Sequence, residues 1–237
     1  MVQKKIWRWI TILLTLVFTN SFAGNTDKNI YNPYVQQLEN ELEYELVIQH
    51  DNRTKFDQQQ RHTFSYGQAI NDRWLLELGV SGTNSSEQNF DITAYEFEAK
   101  YQLSEQGEFN NDWGLLFEIE RETDTDIWEL GSTLIVLHDW GKWTGTANTT
   151  LAYEIGPTID DELEAELATQ LRYRHKASFE PGIEYFKSQS TNALGPSFSG
   201  QVKFGGGKNL FWSTAALFSF DSSKPDNIVR FNLEYEF

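Results

Sequence analysis

The stretch Asn227-Ile-Val-Arg-Phe-Asn-Leu-Glu-Tyr-Glu-Phe237 decides the fold. Val229, Phe231, Leu233, Tyr235 and Phe237 are apolar, and Arg230, Asn232, Glu234 and Glu236 between them are polar. Successive side chains of an extended chain point to opposite sides, so this period of two predicts a strand with one greasy and one wet face. The alternation recurs upstream. Leu42, Tyr44, Leu46 and Ile48 interleave with Glu41, Glu43 and Glu45, and Tyr95, Phe97, Ala99, Tyr101 and Leu103 with Glu96, Glu98, Lys100 and Gln102. Leu163, Leu167, Leu171 and Tyr173 interleave with Glu162, Glu164, Glu166, Gln170 and Arg172. Such segments number about twelve, with ten as the alternative count. They lie near 39–49, 58–70, 74–82, 90–103, 113–121, 127–138, 143–155, 162–174, 178–187, 196–205, 210–220 and 227–237, separated by turn-rich breaks such as Gly156-Pro157 and Gly205-Gly206-Gly207.

Composition narrows the class. The chain has 237 residues, a net charge of -16 and no Cys, and 15% of it is aromatic. An acidic chain is a poor phosphate binder, so no nucleic-acid partner is expected. The lack of thiols removes disulfide scaffolds, Cys-ligated metals and thiol catalysis. No stretch after residue 24 is long and apolar enough to predict a membrane-spanning helix.

The first residues read as a secretory signal. Lys4, Lys5 and Arg8 precede an apolar run over Trp9 to Phe18, and Ser21-Phe22-Ala23 offers small residues for cleavage. The expected organisation is a signal peptide over 1–23, a periplasmic N-terminal segment over 24–38 and a barrel over 39–237. Tyr31, Pro33 and Tyr34 are the expected anchors of the N-terminal segment, which could plug the barrel mouth or contact another envelope component.

Soluble and membrane barrels both alternate, but a membrane barrel turns its apolar face to lipid and keeps a polar interior. Large aromatics near the predicted strand ends favour lipid: Trp74, Trp113, Trp128, Trp143, Phe179, Trp212, Tyr235 and Phe237 form a candidate membrane girdle. Strands of about ten residues match a tilted crossing. On the secretory start and the alternating segment that ends in Phe237, the chain resembles the Gram-negative outer-membrane β-barrels. The resemblance implies an all-β, antiparallel up-and-down transmembrane barrel in the cell outer membrane. It also implies recognition of the C-terminal strand by the barrel-assembly machinery. An even strand count places both termini on the periplasmic side and short loops on the outside, near 50–57, 83–89, 122–126, 156–161, 188–195 and 221–226.

The polar rows are the expected lumen. Its candidate ion pathway comprises Glu41, Glu43, Glu45, Arg61, Glu96, Glu98, Lys100, Glu118, Glu164, Glu166, Arg172, Glu180, Glu184, Arg230 and Glu234. Hairpin geometry predicts Glu45 opposite Arg61 and Arg172 opposite Glu180. Carboxylate rings attract cations, which predicts a monomeric passive channel for small cationic or neutral solutes. The alternatives are a closed structural or interaction barrel and a lipid-active hydrolase. The hydrolase finds weak support. His62 and Ser65 point to opposite faces, His138 and His175 fall in predicted turns, and His50-Asp51-Asn52 suits a loop start. No catalytic residue, metal site or cofactor is expected.

Overall fold

A computed structural model describes residues 29–50, 58–85, 88–189, 191–220 and 227–237. The signal segment expected over 1–23 lies outside these residues. So do 24–28, 51–57, 86–87, 190 and 221–226, which fall in the expected N-terminal segment and outer loops.

Twelve strands are present: β1 Asn40–His50, β2 Gln59–Ala69, β3 Trp74–Asn84, β4 Asp91–Gln102, β5 Asp112–Glu122, β6 Trp128–Trp140, β7 Trp143–Ile155, β8 Glu162–Tyr173, β9 Glu180–Lys187, β10 Asn192–Gly205, β11 Lys208–Ser219 and β12 Asn227–Glu236. Each strand pairs with the next, and β12 returns antiparallel to β1 to close the barrel. Leu42 faces Tyr235 and Leu46 faces Phe231 across the seam, while reciprocal backbone bonds join Asn40 and Phe237. Closure leaves no unpaired edge, which a sheet in hydrocarbon requires.

Strand bounds follow the apolar–polar pattern to within about two residues except at the start of β10. That strand begins at Asn192 rather than near 196, so the loop expected over 188–195 is shorter. Gly206 and Gly207 have φ of 64° and 84° and form a two-residue turn between β10 and β11, a conformation that side chains with a Cβ resist.

The faces sort by polarity. On β12, Arg230, Asn232 and Glu236 are buried inside, while Val229 is exposed outside. Phe64, Leu78, Tyr95, Phe117, Leu130, Leu151, Leu163 and Ile183 are likewise exposed on the outer wall. Trp74, Trp113, Trp143, Trp212, Tyr235 and Phe237 lie toward the end that carries the termini, and Trp128 lies at the opposite end. Cross-strand ring pairs form there: Trp74 with Tyr101 at 4.6 Å and Trp143 with Tyr173 at 5.0 Å between centroids. His138 is a correction to the sequence reading. It lies within β6, its ring tilted against that of Trp140, because that strand runs to residue 140.

The interior is not uniformly polar. Val47, Ala168, Phe186, Ala193, Ala215, Leu217 and Ile228 form a buried apolar patch inside one side of the barrel, toward the end opposite the termini. Ile30 packs against it.

Candidate functional site: the lumen and its strap

Residues 29–38 enter the barrel and run along its inner wall. Leu38, at φ 66°, turns the chain from this strap into β1, and the amide of Glu39 donates to the Gln36 carbonyl to close the turn. Chain polar groups inside a barrel need partners, and the strap finds them on several strands. The Val35 amide donates to Gln102 Oε1 at 2.7 Å, and the Tyr34 hydroxyl donates to Asp112 at 2.6 Å. Gln36 Nε2 donates to Glu236 at 3.1 Å. Further in, the Tyr31 amide donates to Asn148 Oδ1 at 2.8 Å, and Asn148 Nδ2 donates back to the Tyr31 carbonyl. The Tyr31 hydroxyl donates to Glu98 at 3.1 Å, and Asn29 donates to Glu43 at 3.3 Å. Pro33 is fully buried, and Val35 packs on Ala69 and Leu75. Over 29–35 the N-terminal segment thus lies inside the barrel, the plugging arrangement among those expected for it, while Gln36, Gln37 and Leu38 are exposed where the chain turns into β1.

Burial and the nearby carboxylates Glu98, Glu118, Glu45 and Glu43 raise the Tyr31 hydroxyl well above its ordinary pKa. Burial and Asp112 do the same to Tyr34. Both phenols stay protonated and donate. Glu39, at the foot of the strap, is also raised, chiefly by burial.

The strap leaves two spaces. The larger is a cavity of about 420 Å³, walled by the strap and by Glu41, Glu43, Glu98, Lys100, Arg172, Glu180, Glu184, Arg230 and Glu234, with Phe211, Gln170, Ser199 and Ser213. The smaller, about 60 Å³, lies among Glu43, Glu45, Arg61, Glu96, Glu98, Glu118 and Glu120. Glu164 and Glu166 are buried on the inner face of β8, outside the walls of both cavities.

Ion pairs tie the walls together. Arg61 bonds Glu96 at 2.8 Å and Glu120 at 2.6 Å. The expected opposition of Glu45 and Arg61 is corrected: the hairpin turns one residue later, so Thr63 faces Glu45 and Arg61 faces Val47. Arg172 and Glu180 pair at 3.1 Å, although Gly182 is the residue directly opposite Arg172. Long side chains bridge that diagonal. Arg230 pairs with Glu184, and both are almost fully buried. Near the strap's foot, carboxylate oxygens of Glu39, Glu41 and Glu234, and of Glu41, Glu43 and Glu77, lie within 4.8 Å of one another. Lys100 is within electrostatic reach of Glu41, Glu234, Glu39 and Glu77 and supplies part of the counter-charge. His62 is hydrogen-bonded to Tyr44 at 2.9 Å on the outer wall.

A closed antiparallel barrel with an apolar skin and a polar, carboxylate-rich interior has one natural solvent for its outer wall, the hydrocarbon of a membrane. The fold is that of an outer-membrane β-barrel. No protein-family model matches the chain. No curated protein matches it either. Solved structures share the architecture. An outer-membrane channel of Pseudomonas putida F1 superposes with a TM-score of 0.55 at 12% identity, over 91% of this chain and 99% of that one. The KdgM porin gives 0.52 at 12%, over 83% and 99%. The β domain of the Bordetella autotransporter BrkA gives 0.54 at 12%, over 85% and 98%. At this identity the likeness is one of fold.

Sequence reasoning missed the strap's partners Asn148, Gln102 and Asp112. Asn148 sits in the uncharged polar row Thr144, Thr146, Thr150 of β7, which is buried inside the barrel. A polar row without charges, facing a segment that itself carries amides and phenols, was the available signal.

Proposed function

We propose that this barrel is a passive outer-membrane channel for small cationic or neutral solutes, narrowed by its own N-terminal strap. The observation that carries the reading is the cavity of about 420 Å³ beside the strap, walled by the carboxylates of β1, β4, β9 and β12. Twelve strands enclose more room than the filled interior of eight and less than the aqueous channel of sixteen. The strap is hydrogen-bonded to β1, β4, β5, β7 and β12, and the space it leaves is walled by β1 and β4 as well as by β8 to β12. Acidic walls raise the local cation concentration and repel anions. The outer-membrane channel and porin that share the fold support conduction as the role.

Planar-bilayer recording of the full chain tests it: discrete conductance steps with a cation-favouring reversal potential are expected. A second reading, a closed barrel, is favoured by the strap's hydrogen bonds to strands on several sides of the lumen. It predicts no steps from the full chain and their appearance on deletion of residues 29–38.

A further inference from the structure

The outer wall carries a concavity of its own, of about 480 Å³, across β6 to β10. Its floor is low because Ala147 and Thr169 are small; the Trp140 ring lies over Gly145 at one end, and Leu171 and Ile183 rise at the sides. Every wall residue named here sits on a lipid-facing strand position, so the trench opens to hydrocarbon. It starts at the aromatic level of Trp140, Trp143 and Tyr173, at the end that carries the termini.

That end of the trench is basic although the chain as a whole carries -16. Lys142 is exposed in the β6–β7 turn, with its Nζ 5.9 Å from the centre of the Tyr173 ring. His175 stacks on the same ring, and exposed Lys176 follows it. Arg174 is occupied by Asp139 at 3.1 Å, which leaves Lys142 and Lys176 to set the local sign. An apolar trench that opens through aromatic rings onto ammonium groups matches a molecule with a fatty tail and an anionic head.

We propose that this wall is a binding site for one anionic glycerophospholipid of the periplasmic leaflet. One acyl chain lies in the trench over Ala147 and Thr169, and the phosphate meets Lys142 and Lys176. The site rests on the barrel's orientation in the membrane and is independent of whether the lumen conducts.

The test is native mass spectrometry of the full-length barrel released from detergent with palmitoyl-oleoyl phosphatidylglycerol or with the phosphatidylcholine of the same chains. The wild-type chain is expected to retain a single phosphatidylglycerol at least tenfold more often than phosphatidylcholine. Lys142→Glu with Lys176→Glu removes that preference. Ala147→Leu with Thr169→Leu fills the trench, leaves the charges, and removes retention of both lipids. Equal retention of the two headgroups by the wild-type chain overturns the proposal, as does undiminished phosphatidylglycerol on the filled trench. Circular dichroism of each variant establishes that the barrel has formed.

Discussion

Gly114 stands where Pro33 of the strap crosses β5, and a Cβ added there would lie 2.9 Å from the Pro33 Cα. The glycine is needed for this close approach of two backbones. Valine at 114 therefore displaces the strap while keeping a good strand former in β5. Gly114→Val is expected to raise single-channel conductance with an unchanged β spectrum, and an unchanged step size would show that the strap does not limit flow. Arg230 poses the opposite question, because its ion-pair partner Glu184 is almost fully buried. Removing one member of a buried pair leaves the other charge uncompensated. Arg230→Met is expected to destabilise the barrel by about 3 to 5 kcal/mol, read as a lower urea midpoint of unfolding in vesicles, whereas the added Glu184→Met recovers most of the loss. Equal midpoints for the single and double variants would refute this account of the pair.

At the scale of elements, the strap is held by phenols that must remain protonated. Tyr34 is raised above the ordinary tyrosine value by burial and by Asp112, so ionisation is opposed in the docked strap and not in the undocked one. Its contribution is fully present below the ordinary pKa of about 10 and is lost as pH rises beyond it toward the higher docked value. Conductance is accordingly expected to be insensitive to these phenols up to about pH 10 and to rise above it; Tyr34→Phe, which cannot ionise, lessens that alkaline rise, and Tyr31→Phe with Tyr34→Phe removes it. A wild-type chain with no alkaline rise would count against phenol-dependent docking. The strands were legible because alternation is local: Val229 to Phe237 declares its two faces within one segment. The strap was not, since its partners lie as far away as Gln102, Asn148 and Glu236 and no period links them. Pro33 and the two tyrosines marked the segment as unusual, but only the closed barrel brings Gly114 beneath it. The luminal ion pairs were legible by class and less so by register. Arg172 and Glu180 meet across a diagonal, and a turn one residue later moves Arg61 from opposite Glu45 to opposite Val47.

At the scale of the whole molecule, one sheet separates an apolar outer skin from a polar interior, and the acidic excess is concentrated on the inner wall. Glu41, Glu43 and Glu234 wall the larger cavity with few cations to answer them, Lys100 and Arg230 among these. Fixed charge of this kind acts on a passing ion through a screened field, with a reach of about 10 Å at 0.1 M salt and about 3 Å at 1 M. A wall charge therefore dominates permeation in dilute salt and weakens in concentrated salt. Under a tenfold KCl gradient, the reversal potential is expected to show strong preference for potassium when the dilute side is near 0.1 M or below. It should fall toward zero when the same tenfold gradient is set in concentrated salt, with the dilute side at about 0.4 M, where screening has shortened the field of the wall. Glu41→Gln with Glu43→Gln and Glu234→Gln keeps the shape of the wall and removes its charge. It should therefore lower the preference in dilute salt and change little in concentrated salt. Chloride preference in the wild-type channel, or a potassium preference that ignores ionic strength, would separate selectivity from these carboxylates and leave the width of the passage beside the strap as its source.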